Sequence, residues 1–360
     1  MTDAELRQSL PRAVKELRAR LGTRIVGMEH VVDLVLACLL CNGHGLLVGV
    51  PGLAKTLLCS SVAELFELEF RRIQFTPDLM PGDIVGAETL CDLPEGGRGF
   101  RFVHGPIFTN LLLADEINRT PPKTQAALME GMEERTVTSA GTSRPLPAPF
   151  VVLATQNPIE QEGTYELPAA QLDRFLVRIV VDYPEEEQER RIVRRTVAGS
   201  LPDLAPVLTR DEIIGLQRVV RDARTPDDVL RYATALARAT RPGPEAAAGI
   251  GDLISWGAGP RAPQALVMVA KARALCDGRA APNCADVRAV VAPVMGHRIV
   301  PSFTAVAQDV SADEIVRRVV ESVAAPDGWR PEERRARRGG PLRRIWRSLR
   351  GRAAAAPART

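Results

Sequence analysis

The stretch Gly49-Val50-Pro51-Gly52-Leu53-Ala54-Lys55-Thr56 restricts what this chain can fold into more than any other. It follows the apolar run Leu46-Leu47-Val48 and leads into a helical pattern over 55–66. A short strand, a Gly/Pro turn and a helix, in that order, form the setting of a phosphate loop. Glycines let backbone N–H groups approach an anion closely, and the helix start adds partial positive charge. In that reading Lys55 reaches the β- and γ-phosphates of ATP, and the Thr56 hydroxyl ligates Mg²⁺. The expected nucleotide contacts are Gly49, Val50, Pro51, Gly52, Leu53, Ala54, Lys55, Thr56 and Leu57. Ala54 stands where the general pattern has a second glycine. Taken alone, the stretch therefore leaves open a plain turn followed by an exposed lysine.

The rest of the first half fits such a loop. Phe70 to Phe75 reads as a strand, and Leu111 to Ala114 and Phe150 to Ala154 are continuous apolar runs suited to strands buried on both faces. Phe175 to Val181 supplies a fifth. Strands alternating with helices predict an α/β domain with a doubly wound parallel sheet and ligands at the carboxyl ends of its strands. Two inserts interrupt the rhythm: Glu88 to Ile107, with a strand-like Phe100-Arg101-Phe102-Val103, and a hairpin over 135–149 turning at Ala140-Gly141-Thr142. Past Asp182-Tyr183-Pro184 helical periodicity dominates, near 185–198, 209–223, 226–240, 260–277 and 283–292. The expected organisation is an N-terminal helix over 1–20, an α/β domain over 21–183, a small all-helical domain over 184–325 and a tail over 326–360.

A second motif answers the first. Leu111-Leu112-Leu113-Ala114 ends in Asp115-Glu116, and charges beside a buried strand need partners or a metal. Asp115 is expected to hold hydrated Mg²⁺, and Glu116 to orient or deprotonate the attacking water. At the end of Val151-Val152-Leu153-Ala154, the amide of Asn157 is placed to hold water or the γ-phosphate. Arg174 precedes the fifth strand and Arg261 follows Gly257-Ala258-Gly259-Pro260, and guanidinium groups suit phosphate oxygens. For these three residues a turn former and two solvated arginines remain the plain alternative.

Charge and composition narrow the function. The net charge of +3 is uneven, because from Arg330 onward eleven arginines face two glutamates. The tail thus carries +9 and the preceding residues −6, so the globular part has no nucleic-acid footprint. Aromatics at 4% argue against a base-stacking platform. Cys38 and Cys41 form a lone CxxC inside an apolar helical pattern, which reads as buried thiols in a reducing cytoplasm. The polar start and the short run Val31 to Leu40, interrupted by Asp33, give no expected signal or membrane span. In the tail, Leu342, Ile345, Trp346 and Leu349 share one helical face opposite arginines. That pattern suits either an anionic membrane surface, peripheral at the inner face, or an acidic partner, against a solvated disordered tail.

Several dense matches make the chain resemble the MoxR family of AAA+ ATPases, within the clade of magnesium chelatase. They are GVPGLAKT at 49–56, RIQFTPDLMPGDIVG at 72–86, GPIFTNLLLADEINRTPPKTQAALMEGMEER at 105–135, LATQNPIEQEGTY at 153–165 and LPAAQLDRF at 167–175. Ala54 is ordinary in that family. The resemblance implies an AAA+ domain with a helical lid and an adenine-facing segment at Ile25 and Val26. It makes Lys55 with Thr56 the Walker A pair and Asp115 with Glu116 the Walker B pair, and Asn157 sensor 1. Arg174 becomes a finger entering the neighbouring subunit's site, and Arg261 the sensor 2 arginine. It further implies a ring, typically a hexamer, with both inserts facing the pore. Met28, Glu166 and Ala169 depart from the family pattern. Relatives commonly work with a separate protein carrying a von Willebrand factor A domain. The implied function is therefore chaperone-like remodelling driven by Mg-ATP hydrolysis. The alternatives are a nucleic-acid motor, which would call for basic inserts, and a small-molecule kinase, which would need neither Arg174 nor a lid.

Overall fold

Apolar runs bounded by polar turns build the sheet. In the computed structural model, which describes residues 1–326 apart from 93–97, 140, 159–162, 198, 200, 245 and 248, the chain divides into two units. The first spans Met1–Asp222 and the second the residues from Ala223 on.

The first unit opens with α1 (Asp3–Arg24) and α2 (Glu29–Leu40). The α1 stripe Leu6, Leu10, Leu17 and Leu21 is buried, at helical spacing. Thr2 starts that helix by accepting from the Glu5 N–H at 3.3 Å, while the Glu5 carboxylate accepts from the Thr2 N–H. There follow β1 (Gly45–Val48), α3 (Lys55–Leu65), β2 (Phe70–Gln74), the short α4 (Pro81–Val85), and the antiparallel hairpin of β3 (Gly86–Asp92) and β4 (Arg98–His104). Next come β5 (Leu111–Asp115), α5 (Pro122–Glu134), a second hairpin of β6 (Thr136–Ser139) and β7 (Thr142–Pro145), β8 (Val151–Gln156), α6 (Ala169–Leu172) and β9 (Val177–Val180). The five parallel strands lie in the order β2-β5-β8-β1-β9. Leu111 to Ala114 and Val151 to Ala154 are completely buried, each large side chain contributing about 1.5–3 kcal/mol. This is the parallel sheet flanked by helices that the sequence predicts.

All five expected strands are present, and the expected 135–149 hairpin is β6–β7. The strand expected near 100–103 turns out to be half of a hairpin, paired along its length with β3. Strands of the sheet end at Val180, but the unit continues through α7 (Glu186–Val197) and α8 (Arg210–Asp222). The latter packs on α1 and α2, and Gln217 donates to the Leu39 carbonyl at 2.8 Å.

The second unit contains α9 (Asp227–Arg238), β10 (Ile254–Trp256), α10 (Arg261–Cys276), α11 (Cys284–Met295), β11 (Val300–Pro301), α12 (Phe303–Ala307) and α13 (Ala312–Ser322). It is helical apart from the antiparallel pair β10–β11. Helix α11 packs on α9, α10 and α13, and Arg279 grips Asp286 in its first turn at 2.5 and 2.6 Å. The tail pattern at 342–349 lies outside the described residues. No helix among the described residues is long and apolar enough to cross a membrane.

His44 ties β8 to α5 just ahead of β1. Its Nδ1 accepts from the Val152 N–H at 2.9 Å, so the proton sits on Nε2, which donates to the Met132 carbonyl at 3.1 Å. Burial, aided by the Arg135 charge, pushes its pKa from 6.5 down to about 3. The folded chain keeps His44 neutral while the unfolded chain takes up a proton below pH 6.5, so stability is lost as pH falls from there toward 3. Urea unfolding at pH 7.5 and 5.5 is expected to show about 1.4 kcal/mol more loss in the wild type than in His44→Gln. Equal losses would contradict the assignment.

Candidate functional site

The loop between β1 and α3 owes its path to residues that tolerate unusual backbone. A Cβ on Gly49 would lie 2.4 Å from the Val181 carbonyl oxygen, so only glycine fits where the loop leaves the sheet. Gly52 has φ +81° and Ala54 φ +51°. For alanine the left-handed conformation costs about 1 kcal/mol, a local strain of the kind found at functional sites. Ala54 begins α3 without any side-chain cap. The first-turn N–H groups are therefore left for an anion, with the helix dipole behind them.

Lys55 is buried, and its Nζ donates to the Gly49 carbonyl at 2.7 Å. Burial pulls its pKa down, while the charges of Asp115 and Glu116 pull it back up. The lysine of the loop and the carboxylates at the end of β5 thus share one electrostatic site.

Three neighbouring strands fix those carboxylates. Asp115 Oδ1 accepts from the Thr155 hydroxyl at 2.6 Å, and that hydroxyl accepts from the Glu116 N–H at 2.8 Å. On the other side, Arg72 Nε and Nη2 both reach Asp115 Oδ2, at 3.1 and 2.6 Å. Gln74 Nε2 donates to Glu116 Oε2 at 2.6 Å, and Arg119 pairs with the same oxygen at 3.2 Å. Glu116 has φ +58°, a left-handed turn that ends the strand. For a divalent cation the available donors are the Thr56 hydroxyl and the Asp115 carboxylate, hard oxygens of the type Mg²⁺ prefers. The residues fit the metal.

The other expected residues are dispersed. Ile25 and Val26 are buried at the end of α1, and Val50 is buried beside the loop. Pro51 is exposed, while Leu53 and Leu57 are partly covered. Asn157 is buried one residue beyond β8. Arg174 follows α6 and is held on α5, pairing with Glu133 at 2.7 Å and donating to the Met129 carbonyl at 2.5 Å. Arg261 is exposed at the first position of α10, in the second unit.

Sequence reasoning passed over Thr155, Arg72 and Gln74. Arg72 and Gln74 alternate on β2, and Gln74 lies in register with Asp115. Only the strand order brings them beside the carboxylates. The RIQF segment was visible as a motif, but without a neighbour it has no role.

Two family models match the chain: the ATPase family associated with various cellular activities over residues 44–177, and the AAA lid domain over 246–319. Chaperone MoxR1 of Mycobacterium tuberculosis is 41% identical over 321 residues, covering 88% of this chain and 82% of that protein. Protein MoxR of Paracoccus denitrificans is 33% identical over 304 residues, 79% of this chain and 88% of its own length. A crystal structure assigned as an ATPase, from Cytophaga hutchinsonii, superposes with a TM-score of 0.82 at 36% identity, over 90% of this chain and 98% of that one.

Thr155→Val keeps the shape and removes the hydroxyl, leaving the Glu116 N–H and one Asp115 oxygen without it. The expected result is an activity loss of about 10- to 100-fold, with stability lower by about 1–2 kcal/mol. Thr155→Ser should restore both. Full activity of the valine variant in a phosphate-release assay would contradict the role.

Proposed function

The chain belongs to the MoxR family of AAA+ ATPases and hydrolyses ATP, and on that premise we propose that it does so in a ring, at sites shared between subunits, to remodel a partner protein. The observation that carries the proposal is that Lys55, buried and bonded to the Gly49 carbonyl of the loop after β1, lies near enough to Asp115 and Glu116 at the end of β5 for their charges to act on it, β8 alone separating the two strands. This supports a single site that both binds phosphate and activates water.

In this reading the uncapped first turn of α3 and the loop N–H groups bind the phosphates, and Ile25 and Val26 flank the adenine. Lys55 exchanges its bond to the Gly49 carbonyl for the β- and γ-phosphates. Thr56 and Asp115 would hold Mg²⁺, which neutralises developing phosphate charge when bound. Glu116, turned out of the strand by its positive φ, takes the proton of the attacking water. Asn157 orients that water. Arg174 supplies the neighbouring subunit's site with a cation after release from Glu133.

Three features support a protein as the remodelled substrate. The hairpin β3–β4 exposes Leu90 and Phe100 directly opposite each other, an apolar pair suited to a polypeptide. Neither hairpin is strongly basic, which leaves the nucleic-acid motor without support. One relative carries the name chaperone. The family resemblance adds a separate von Willebrand factor A domain protein as the partner, and the basic tail as a contact for an anionic membrane surface or an acidic protein.

Glu116→Gln is expected to bind ATP and hydrolyse it at least about 100-fold more slowly; rapid turnover would reject the general base. Arg174→Ala should lose about 10³-fold in rate. Mixing it with Glu116→Gln chains should restore part of the activity, because some sites then combine an intact Glu116 with a neighbour's intact Arg174. Wild-type turnover by Arg174→Ala alone would reject the shared site.

A further inference from the structure

The second unit carries an apolar surface that none of its own described residues covers. Trp256 on β10 is paired directly opposite Val300 on β11, and both side chains are exposed, Trp256 at 69%. One residue after β11 the short helix α12 begins, and it turns Phe303 and Val306 outward, 88% and 67% exposed. These two stand three apart on one helical face, while Ala305 is the residue the helix buries. Val300 and Phe303 are at most about 11 Å apart along the chain, so the four side chains make one neighbourhood rather than scattered singles. Ser302 fixes α12 against the turn before β10: its N–H donates to the Leu253 carbonyl at 2.9 Å and its hydroxyl to the Asp252 carbonyl at 2.6 Å. Asp252 therefore stands near the start of α12 and Asp309 just past its end, both exposed. An apolar surface flanked by two carboxylates fits an occupant that is apolar with basic edges.

We propose that this surface is the docking site of the chain's own segment 342–349, which lies across it as a helix. In helical register Leu342, Ile345, Trp346 and Leu349 share one face, and Arg343 and Arg350 border it. The segment thus brings four apolar side chains to four, with guanidinium groups at the margin for Asp252 and Asp309. No carboxylate lies within 342–350 to oppose that pairing. Gly339-Gly340-Pro341 comes directly before Leu342 and sets the segment apart from what precedes it. Reach favours the chain's own tail over a free partner. The described residues end at Pro326, just past α13, and the stretch from there to Leu342 spans about 50 Å when extended. A unit of roughly 100 residues has a radius of gyration of about 13 Å, so any of its faces is within range. Tethering also holds the segment at about 1 mM locally, which fills a contact too weak to hold a free peptide. The acidic surface that the tail meets is then the second unit itself, and docking withholds its apolar face from a membrane.

Hydrogen–deuterium exchange of the full chain tests the docking. With a Kd of about 0.1 mM against a local concentration of about 1 mM, the amides of 342–349 should exchange about tenfold more slowly than in a synthetic 338–352 peptide. Combining Phe303→Asp with Val306→Asp alters only exposed side chains, so circular dichroism should be unchanged. Protection of 342–349 should then fall to within about twofold of the peptide. From the other side, Ile345→Asp with Leu349→Asp should speed exchange at 300–307. Wild-type exchange of 342–349 at the peptide's rate overturns the proposal. So does protection that survives Phe303→Asp with Val306→Asp, or exchange at 300–307 that ignores the tail substitutions. Dilution separates a second copy from the chain itself: unchanged protection is expected, and protection lost on dilution overturns the intramolecular site. Phosphatidylglycerol vesicles separate a membrane, because protection of 342–349 that appears only in their presence overturns the proposal in favour of a lipid surface.

Discussion

Everything at this site depends on where two negative charges sit: at the end of a strand whose preceding residues have no exposed surface. Asp115 and Glu116 follow Leu111 to Ala114, all completely buried. Carboxylates beside such a core are costly unless they are bonded. The sheet meets that demand from both sides. Thr155 on β8 joins Asp115 to the Glu116 backbone, and Arg72 and Gln74 on β2 hold the outer oxygens. Apart from Arg119, these partners of the carboxylates are strand residues, held by the same ladders that hold the core.

Rigidity on that side is matched by strain on the other. Ala54 starts α3 from a left-handed conformation and Glu116 leaves β5 in one. Both are non-glycine residues in a region that costs energy, and both flank the place where phosphate and water are proposed to meet. The strand order puts β8 between β1 and β5, so the loop after β1 and the acids after β5 reach across one intervening strand. Lys55 registers the result, since burial and two nearby carboxylates act on its ammonium in opposite directions. In the proposed mechanism a polyanion entering this gap meets the lysine and the helix start, with Glu116 beside them.

Much of this was legible from residue order. Continuous apolar runs such as Val151 to Ala154 announce a strand buried on two faces, and an acidic pair following one announces a site. The hairpin β6–β7 was legible because a turn signal interrupts strand-forming residues. By contrast, β3 was hidden: Leu90 and Cys91 are not core residues, and the strand exists because β4 pairs with it. Helix α13 carries a clear stripe in Ile315, Val316, Val319 and Val320 but lies past the last motif. The deepest gap concerns Arg72, Gln74 and Thr155. Each is an ordinary polar residue in its own segment, and its meaning comes from a neighbour on another strand. Sequence spacing shows which residues alternate on a strand, but strand order is a property of the folded sheet. The arginines divide in the same way. Arg174 reads as a phosphate ligand by type, yet within one chain it is bonded to α5 through Glu133 and Met129.

The central claim is that the loop lysine and the β5 carboxylates form one site that turns over ATP. The most direct test is steady-state phosphate release by Lys55→Ala, alongside its nucleotide affinity and circular dichroism. The expected result is an intact fold with nucleotide binding and hydrolysis both lost, because Lys55 is the cation proposed to hold the phosphates beside the carboxylate end of the sheet. Wild-type turnover by a folded Lys55→Ala chain would contradict it.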